Sequence, residues 1–126
     1  MTSPTQRTLK AQRDMGRICG IVERFNAFVG PHGIRQDFLG FVDIIAIDPT
    51  QGIVAIQSCG QDYSGHVHKM LGERYDNVLA WVRHAPVELW GWRKVKLERG
   101  GKALRWKPRI GDVKLIDGKL TIEERP

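Results

Sequence analysis

Asp43 is the residue hardest to explain as packing. It stands in the run Phe41-Val-Asp-Ile-Ile-Ala-Ile47, where a carboxylate buried without a partner is costly. Such a side chain either opens onto a cleft and holds a cation, or is a core aspartate bonded to loop amides. Gln57 interrupts the next apolar run, Ile53-Val-Ala-Ile-Gln-Ser-Cys59, in the same way. Its amide oxygen could ligate a hard cation, more weakly than a carboxylate would. Equally, it could be a buried amide bonding Asp43 directly. Asp37, upstream of Asp43, is a further candidate ligand or a turn cap. Cys59 reads as a weak ligand or as a small buried residue.

These residues must be positioned by a hairpin. Two short β-rich runs flank Asp48-Pro-Thr-Gln-Gly52, and a turn centred on Thr50 sets Asp43 opposite Gln57, Ile45 opposite Ala55 and Phe41 opposite Cys59. Upstream, Met15, Ile18, Cys19, Val22 and Phe25 approximate a helical stripe, predicting an amphipathic helix from about Thr5 to Ala27. Gly16, Gly20 and Glu23 lie along one strip of that helix and lead to Glu23, the next candidate carboxylate. Gly30 to Gly33 signal a loop, and Ile34 to Leu39 a short strand. After Gly60 the pattern turns helical, with Val67, Met70 and Leu71 on one side and His66, Lys69 and Glu73 on another. Asn77 is a candidate cap for a second helical segment ending before Pro86.

Val87 to Leu97 reads as a strand, and Gly100-Gly101 as a two-residue turn into Ala103 to Ile110. That turn sets Lys94 against Lys107 and Lys96 against Arg105, like charges whose repulsion phosphates would relieve. Trp90 and Trp92 share the strand parity of Lys94 and Lys96. They either extend this face as stacking platforms or belong to the core. A last hairpin turns at Asp117-Gly118. The charge supports a polyanionic partner: residues 1 to 82 hold eight basic and eight acidic side chains, while 83 to 126 hold twelve and six. At 126 residues and 41% hydrophobic content the chain suits one folded domain rather than a disordered or fibrous one. No apolar run reaches the length of a membrane helix, and the first residues lack the apolar stretch of a signal peptide. Two cysteines form neither a C-x-x-C pair nor a disulfide scaffold, so a reducing cytoplasm is the expected setting.

The order of these elements resembles the PD-(D/E)XK nuclease superfamily, particularly its small resolvase-like members, which include archaeal Holliday junction resolvases. In that pattern a helix carries a glutamate and a hairpin strand carries an aspartate in an apolar run. The partner strand bears Glu-x-Lys, and a helix and another strand follow. Glu23 matches the glutamate, Asp43 the aspartate, and Gln57-Ser58-Cys59 the Glu-x-Lys positions. Phe38 to Ile47 followed by Val54 to Gln57 also looks like small phage and bacterial members with glutamine in the motif. The resemblance covers roughly residues 5 to 95. Its departures are Gln57 for a charged ligand and Cys59 for the lysine, whose charge Lys69 or His66 on the following helix could supply.

The resemblance implies an α/β, restriction-endonuclease-like core of helix, central mixed β-sheet and helix; outside it, read from the residues alone, is a C-terminal basic antiparallel β extension over residues 96 to 126. The resemblance also implies a Mg²⁺- or Mn²⁺-dependent nuclease acting on branched or duplex DNA, working as a homodimer in a bacterial or phage-infected cell. Asp43, Gln57, Glu23 and Asp37 would hold the ion, with Lys69 assisting. Independently of the resemblance, the hairpin's charges and aromatics give the DNA-binding set Trp90, Trp92, Lys94, Lys96, Arg105 and Lys107. The alternative is a nuclease-like fold that has lost catalysis and binds DNA as an accessory module.

Overall fold

A computed structural model describes residues 2–126. Helix α1 spans Pro4–Asp14; Ser3 caps it by accepting from the Gln6 N–H, and Pro4 supplies a pre-set first turn. It ends where Gly16 takes φ +84°, a left-handed turn that favours glycine. The predicted helix through Ala27 is therefore corrected: the chain continues as strands β1 (Ile18–Ile21) and β2 (Arg24–Asn26). The stripe that suggested a helix is not a core face, since Ile18 is 74% and Phe25 61% exposed. Instead α1 buries Thr8, Leu9 and Gln12, which that periodicity passed over.

Strand β3 (Ile34–Gln36) pairs with β2 in a small separate sheet. Strands β4 (Ile44–Asp48) and β5 (Gly52–Cys59) form the expected hairpin in the expected register, Ile45 facing Ala55 and Ile44 facing Ile56. The Asp48 carboxylate builds the turn by accepting from the Thr50 and Gln51 N–H groups. Pairing stops short of Phe41 and Cys59, which instead meet in one core cluster. Helices α2 (Tyr63–Leu71) and α3 (Tyr75–Val82) follow; Asn77 lies within α3 rather than capping it, and its side chain donates to the Leu39 carbonyl.

Strand β6 (Val87–Lys96) returns parallel to β5, and β7 (Leu104–Ile116) and β8 (Lys119–Glu124) add two antiparallel strands. The result is an α/β fold with a mixed six-stranded sheet in the order β1-β4-β5-β6-β7-β8. Leu9 of α1 packs on one face with Ile44, Ala46, Val54, Ile56, Trp90 and Trp92. On the other, Tyr63 and Met70 of α2 and Val78 of α3 cover Ala55, Val87 and Leu89. The Asp117-Gly118 turn has both residues at positive φ, as a tight hairpin requires.

The β6–β7 register differs from the sequence expectation by one residue. The turn is Glu98–Gly101, closed by the Gly101 N–H on the Glu98 carbonyl, with Gly100 at φ +80° in the position that needs it. Lys94 therefore faces Trp106 and Lys96 faces Leu104, while Lys107 faces Arg93 and Arg105 faces Val95. A shift of one residue exchanges faces, so the two like-charge pairs first expected are replaced by one, Arg93 with Lys107.

One buried charge network ties the sheet together. Arg17, 3% exposed, donates from Nε to Asp48 (2.7 Å) and from Nη1 to Gln12 (2.6 Å), and its two terminal nitrogens grip the carboxylate of Glu88 (2.9 and 3.0 Å). Glu88 also accepts from Trp90 Nε1 and from Arg125, which pairs in turn with Asp112. Both neighbouring carboxylates raise the Arg17 pKa against the opposing effect of its burial, and Arg17 with the turn amides holds Asp48 well below the usual carboxylate range. Removing one member of a buried pair strands the other, at a cost of about 3–5 kcal/mol. Arg17→Met should lower the urea midpoint accordingly, and Arg17→Met with Glu88→Leu should recover part of the loss. A single variant as stable as the wild type would show that the network is dispensable.

Candidate functional site

At the junction of the two sheets the chain gathers three carboxylates from three segments. Asp43 immediately precedes β4, and its N–H donates to the Ile56 carbonyl, extending the hairpin ladder. Glu23 lies between β1 and β2, where the Val22 and Glu23 N–H groups reach the Asp43 carbonyl. Asp37 follows β3. One oxygen from each of Glu23, Asp37 and Asp43 lies within 4.8 Å of the others. Glu23 thus joins the cluster as expected, but from a strand end rather than from a helix.

Asp43 is 3% exposed and Gln57 4%. Gln57 Nε2 donates to Asp43 Oδ2 at 2.7 Å and reaches Asp37 Oδ2 at 3.4 Å, and the Ser58 N–H donates to the same Asp43 oxygen at 2.7 Å. Of the two readings of Gln57, this geometry is the amide bonding Asp43: its donor end faces the carboxylates and orients them. The Asp43 pKa is pushed up to about 9, by burial first and then by the hydrogen-bonded, like-charged Asp37, while the Ser58 amide pulls the other way. Three carboxylates around a desolvated position form a donor set suited to a hard divalent cation.

Cys59 lies on the same sheet face as Gln57, within the core, and burial followed by the charge of Asp62 pushes its thiol up to about 12. Cys59 packs among apolar side chains and stands outside the carboxylate cluster, which is the small-residue reading. Lys69 stands on the exposed face of α2, 4.0 Å from Glu73, and His66 bonds the Asp62 carbonyl; neither joins the cluster. The cation beside the carboxylates is Arg35, whose Nη1 is 3.5 Å from Glu23. Arg35 was missed in the sequence, though its place on a strand just before Asp37 was the available signal. A cleft of about 270 Å³ opens there, lined by Glu23, Arg24, Phe25 and Arg35 with residues of α1 and β1.

The nucleic-acid set divides. Trp90 and Trp92 are core residues on the α1 face, their indole N–H groups donating to Glu88 and to Thr8 Oγ1, so they offer no stacking surface. Lys94, Lys96, Arg105 and Lys107 are all exposed, the two lysines of β6 on one face of the hairpin and the two cations of β7 on the other.

The elevated Asp43 pKa fixes a pH signature in metal-free buffer. Between the unfolded pKa near 3.8 and the folded value near 9, the native state binds the proton that the unfolded state has lost. Stability must therefore fall as pH rises through that window. Asp43→Asn removes this slope, so its melting temperature should exceed that of the wild type increasingly from pH 5 to pH 8.5 in EDTA; parallel curves would place the Asp43 pKa in the ordinary range. No protein-family model, no curated protein and no solved structure matches the chain, so the functional reading rests on this geometry.

Proposed function

We propose that the protein is a divalent-metal-dependent DNA nuclease of the PD-(D/E)XK kind. The observation that carries this reading is the convergence of Glu23, Asp37 and Asp43 around a desolvated position. The order of elements supports it in part: after α1 and strands β1 to β3 comes an antiparallel hairpin with Asp43 just before its first strand and Gln57 on its second, then helices and a strand parallel to the second hairpin strand. Branched or junction DNA as substrate and a twofold dimer are the finer parts of the proposal, and they rest on the resemblance alone.

In this mechanism Glu23, Asp37 and Asp43 hold Mg²⁺ or Mn²⁺. The bound ion supplies Lewis acidity toward a phosphate oxygen and toward water. Gln57 Nε2 and the Ser58 N–H fix the rotamer of Asp43, so that its carboxylate is presented in one orientation. Arg35 and Arg24 line the mouth of the cleft, where guanidinium groups suit phosphate oxygens. Arg35 thus takes the charge-stabilising role expected of Lys69, which lies with Glu73 on α2.

A second reading, a DNA-binding module without catalysis, is favoured by one observation. The position of the motif lysine holds Cys59, buried in the core, and among the described residues no lysine forms an ion pair with Glu23, Asp37 or Asp43.

The deciding experiment is incubation of labelled junction, flap, single-stranded and duplex DNA with Mg²⁺, Mn²⁺ or EDTA. The nuclease reading expects metal-dependent cleavage that Asp43→Asn reduces to background while DNA binding persists. Binding with no cleavage under any metal would establish the second reading. Gln57→Glu adds a fourth carboxylate, and the Mg²⁺-induced rise in melting temperature should become larger than in the wild type. An unchanged rise would confine Gln57 to its hydrogen bond.

A further inference from the structure

The net charge of the protein, +6, is concentrated in fifteen residues. Positions 93 to 107 hold seven basic side chains and one acidic, whereas the remainder of the chain holds thirteen of each sign. These seven are Arg93, Lys94, Lys96, Arg99, Lys102, Arg105 and Lys107. All are exposed, and among the described residues none pairs with a carboxylate. By contrast Arg17, Arg109 and Arg125, in the body of the sheet, are each ion-paired.

In its strand pairing this segment is a two-stranded ribbon beyond the sheet, its root packed against α1 through Trp92 and Trp106. Strand β5 leaves β6 at Gly91, and β8 leaves β7 at Gly111. Beyond those points five rungs, from Trp92 with Pro108 to Lys96 with Leu104, pair only with each other. At about 3.4 Å per residue they extend roughly 17 Å before the turn. The observed register puts cations on both faces of the ribbon. Arg93, Arg105 and Lys107 share one face; Lys94 and Lys96 share the other with Trp106, on whose ring Arg7 of α1 stacks at 4.1 Å. Lys94 lies 5.3 Å from the same ring. Arg99 and Lys102 sit at the tip.

A protein that lies flat on a polyanion, or on an anionic membrane, gathers its cations on one face. Charge on both faces of a narrow ribbon fits a partner that presents phosphates on two sides at once. The major groove of B-DNA is such a partner, about 12 Å wide, walled by the phosphates of both strands and able to admit a two-stranded β-ribbon. We infer that the β6–β7 ribbon is an arm that enters the major groove of duplex DNA, with Arg93, Arg105 and Lys107 toward one phosphate wall and Lys94 and Lys96 toward the other. This deepens the proposed function by naming how duplex is held, and it rests on the DNA-binding part of that reading only.

Fluorescence anisotropy with a short labelled duplex in EDTA, at several salt concentrations, tests the arm apart from cleavage. Arg93→Gln/Arg105→Gln/Lys107→Gln should weaken binding and flatten the slope of log affinity against log salt by roughly 2 to 3 units, and Lys94→Gln/Lys96→Gln by about 2. Combining the two sets should add their effects, while Arg93→Lys/Arg105→Lys keeps the slope and shows that the ribbon still folds. Methyl green, a major-groove ligand, should displace the protein, and netropsin, a minor-groove ligand, should not. A response to only one set, displacement by netropsin alone, or tighter binding to single strands or anionic vesicles than to duplex would overturn the inference. Wild-type binding that neither set affects would overturn the arm and leave the nuclease reading standing. Absence of wild-type binding to any DNA would overturn both.

Discussion

The guanidinium of Arg17 is the constraint on which the sheet depends. A cation at that depth is tolerable only when its donors are matched, and its acceptors come from α1, the β4–β5 turn and β6. Through Glu88 the same network reaches Arg125 near the C-terminus, beyond β8. Each partner belongs to a different part of the chain, so the pair Arg17–Glu88 cannot form until helix, hairpin and parallel strand are all docked. Parallel pairing of β5 with β6 is the least local strand pairing of the sheet, and the network joins β6 to α1 and the β4–β5 turn across it.

The two buried charge clusters lie on opposite faces of this sheet and differ in kind. Glu88 is matched on the α1 face by two arginines and an indole N–H. Asp43, one rung away by register and on the other face, has an amide and a backbone N–H as donors, with two more carboxylates beside it. Arg35 reaches only Glu23 and is largely exposed. The charge of the first cluster is matched by arginines of the protein; in the second, the raised pKa of Asp43 lets a proton relieve the repulsion among the carboxylates. That imbalance is the feature on which the proposed cation site rests.

Local signals were legible in the sequence where a turn and an apolar alternation agreed. Asp48 to Gly52 fixed the β4–β5 register, and with it the meeting of Asp43 and Gln57. Where one signal stood alone it misled. The apolar stripe from Met15 to Phe25 has helical spacing, but Gly16 ends the helix before it; Cys19 and Val22 pack on opposite core clusters of the sheet, while Met15, Ile18 and Phe25 are exposed. Glu23 reached the cluster even so, because its backbone is bonded to Asp43 across β1 and β4. Gly100-Gly101 suggested a two-residue turn, whereas the left-handed position is Gly100 alone. That slip moved Lys94 and Lys96 away from Arg105 and Lys107. The Arg17–Glu88 pair, separated by most of the chain, left no signal that spacing or periodicity could register.

The small residue at position 59 and the root of the basic ribbon both lie beside the packing of Tyr63. This first residue of α2 lies over Gly91 and Gly111 on neighbouring strands; a Cβ at Gly91 would stand 2.9 Å from the Tyr63 ring, and one at Gly111 would clash with its hydroxyl. Arg109, braced by Glu124, covers the ring at 4.1 Å. That stack closes the sheet face beside Cys59, which lies at the rung of Gly91 and Arg109. A long cationic side chain at position 59 would have to displace the stack or share its space with Arg109, and burial would drive it toward the neutral form. The small residue there fits the position of α2. With this face closed by Tyr63, a cation can approach the carboxylates from the open cleft on the β2–β3 side, where Arg35 stands, while unpaired positive charge on the opposite flank begins at Arg93, the next residue of that face beyond the stack.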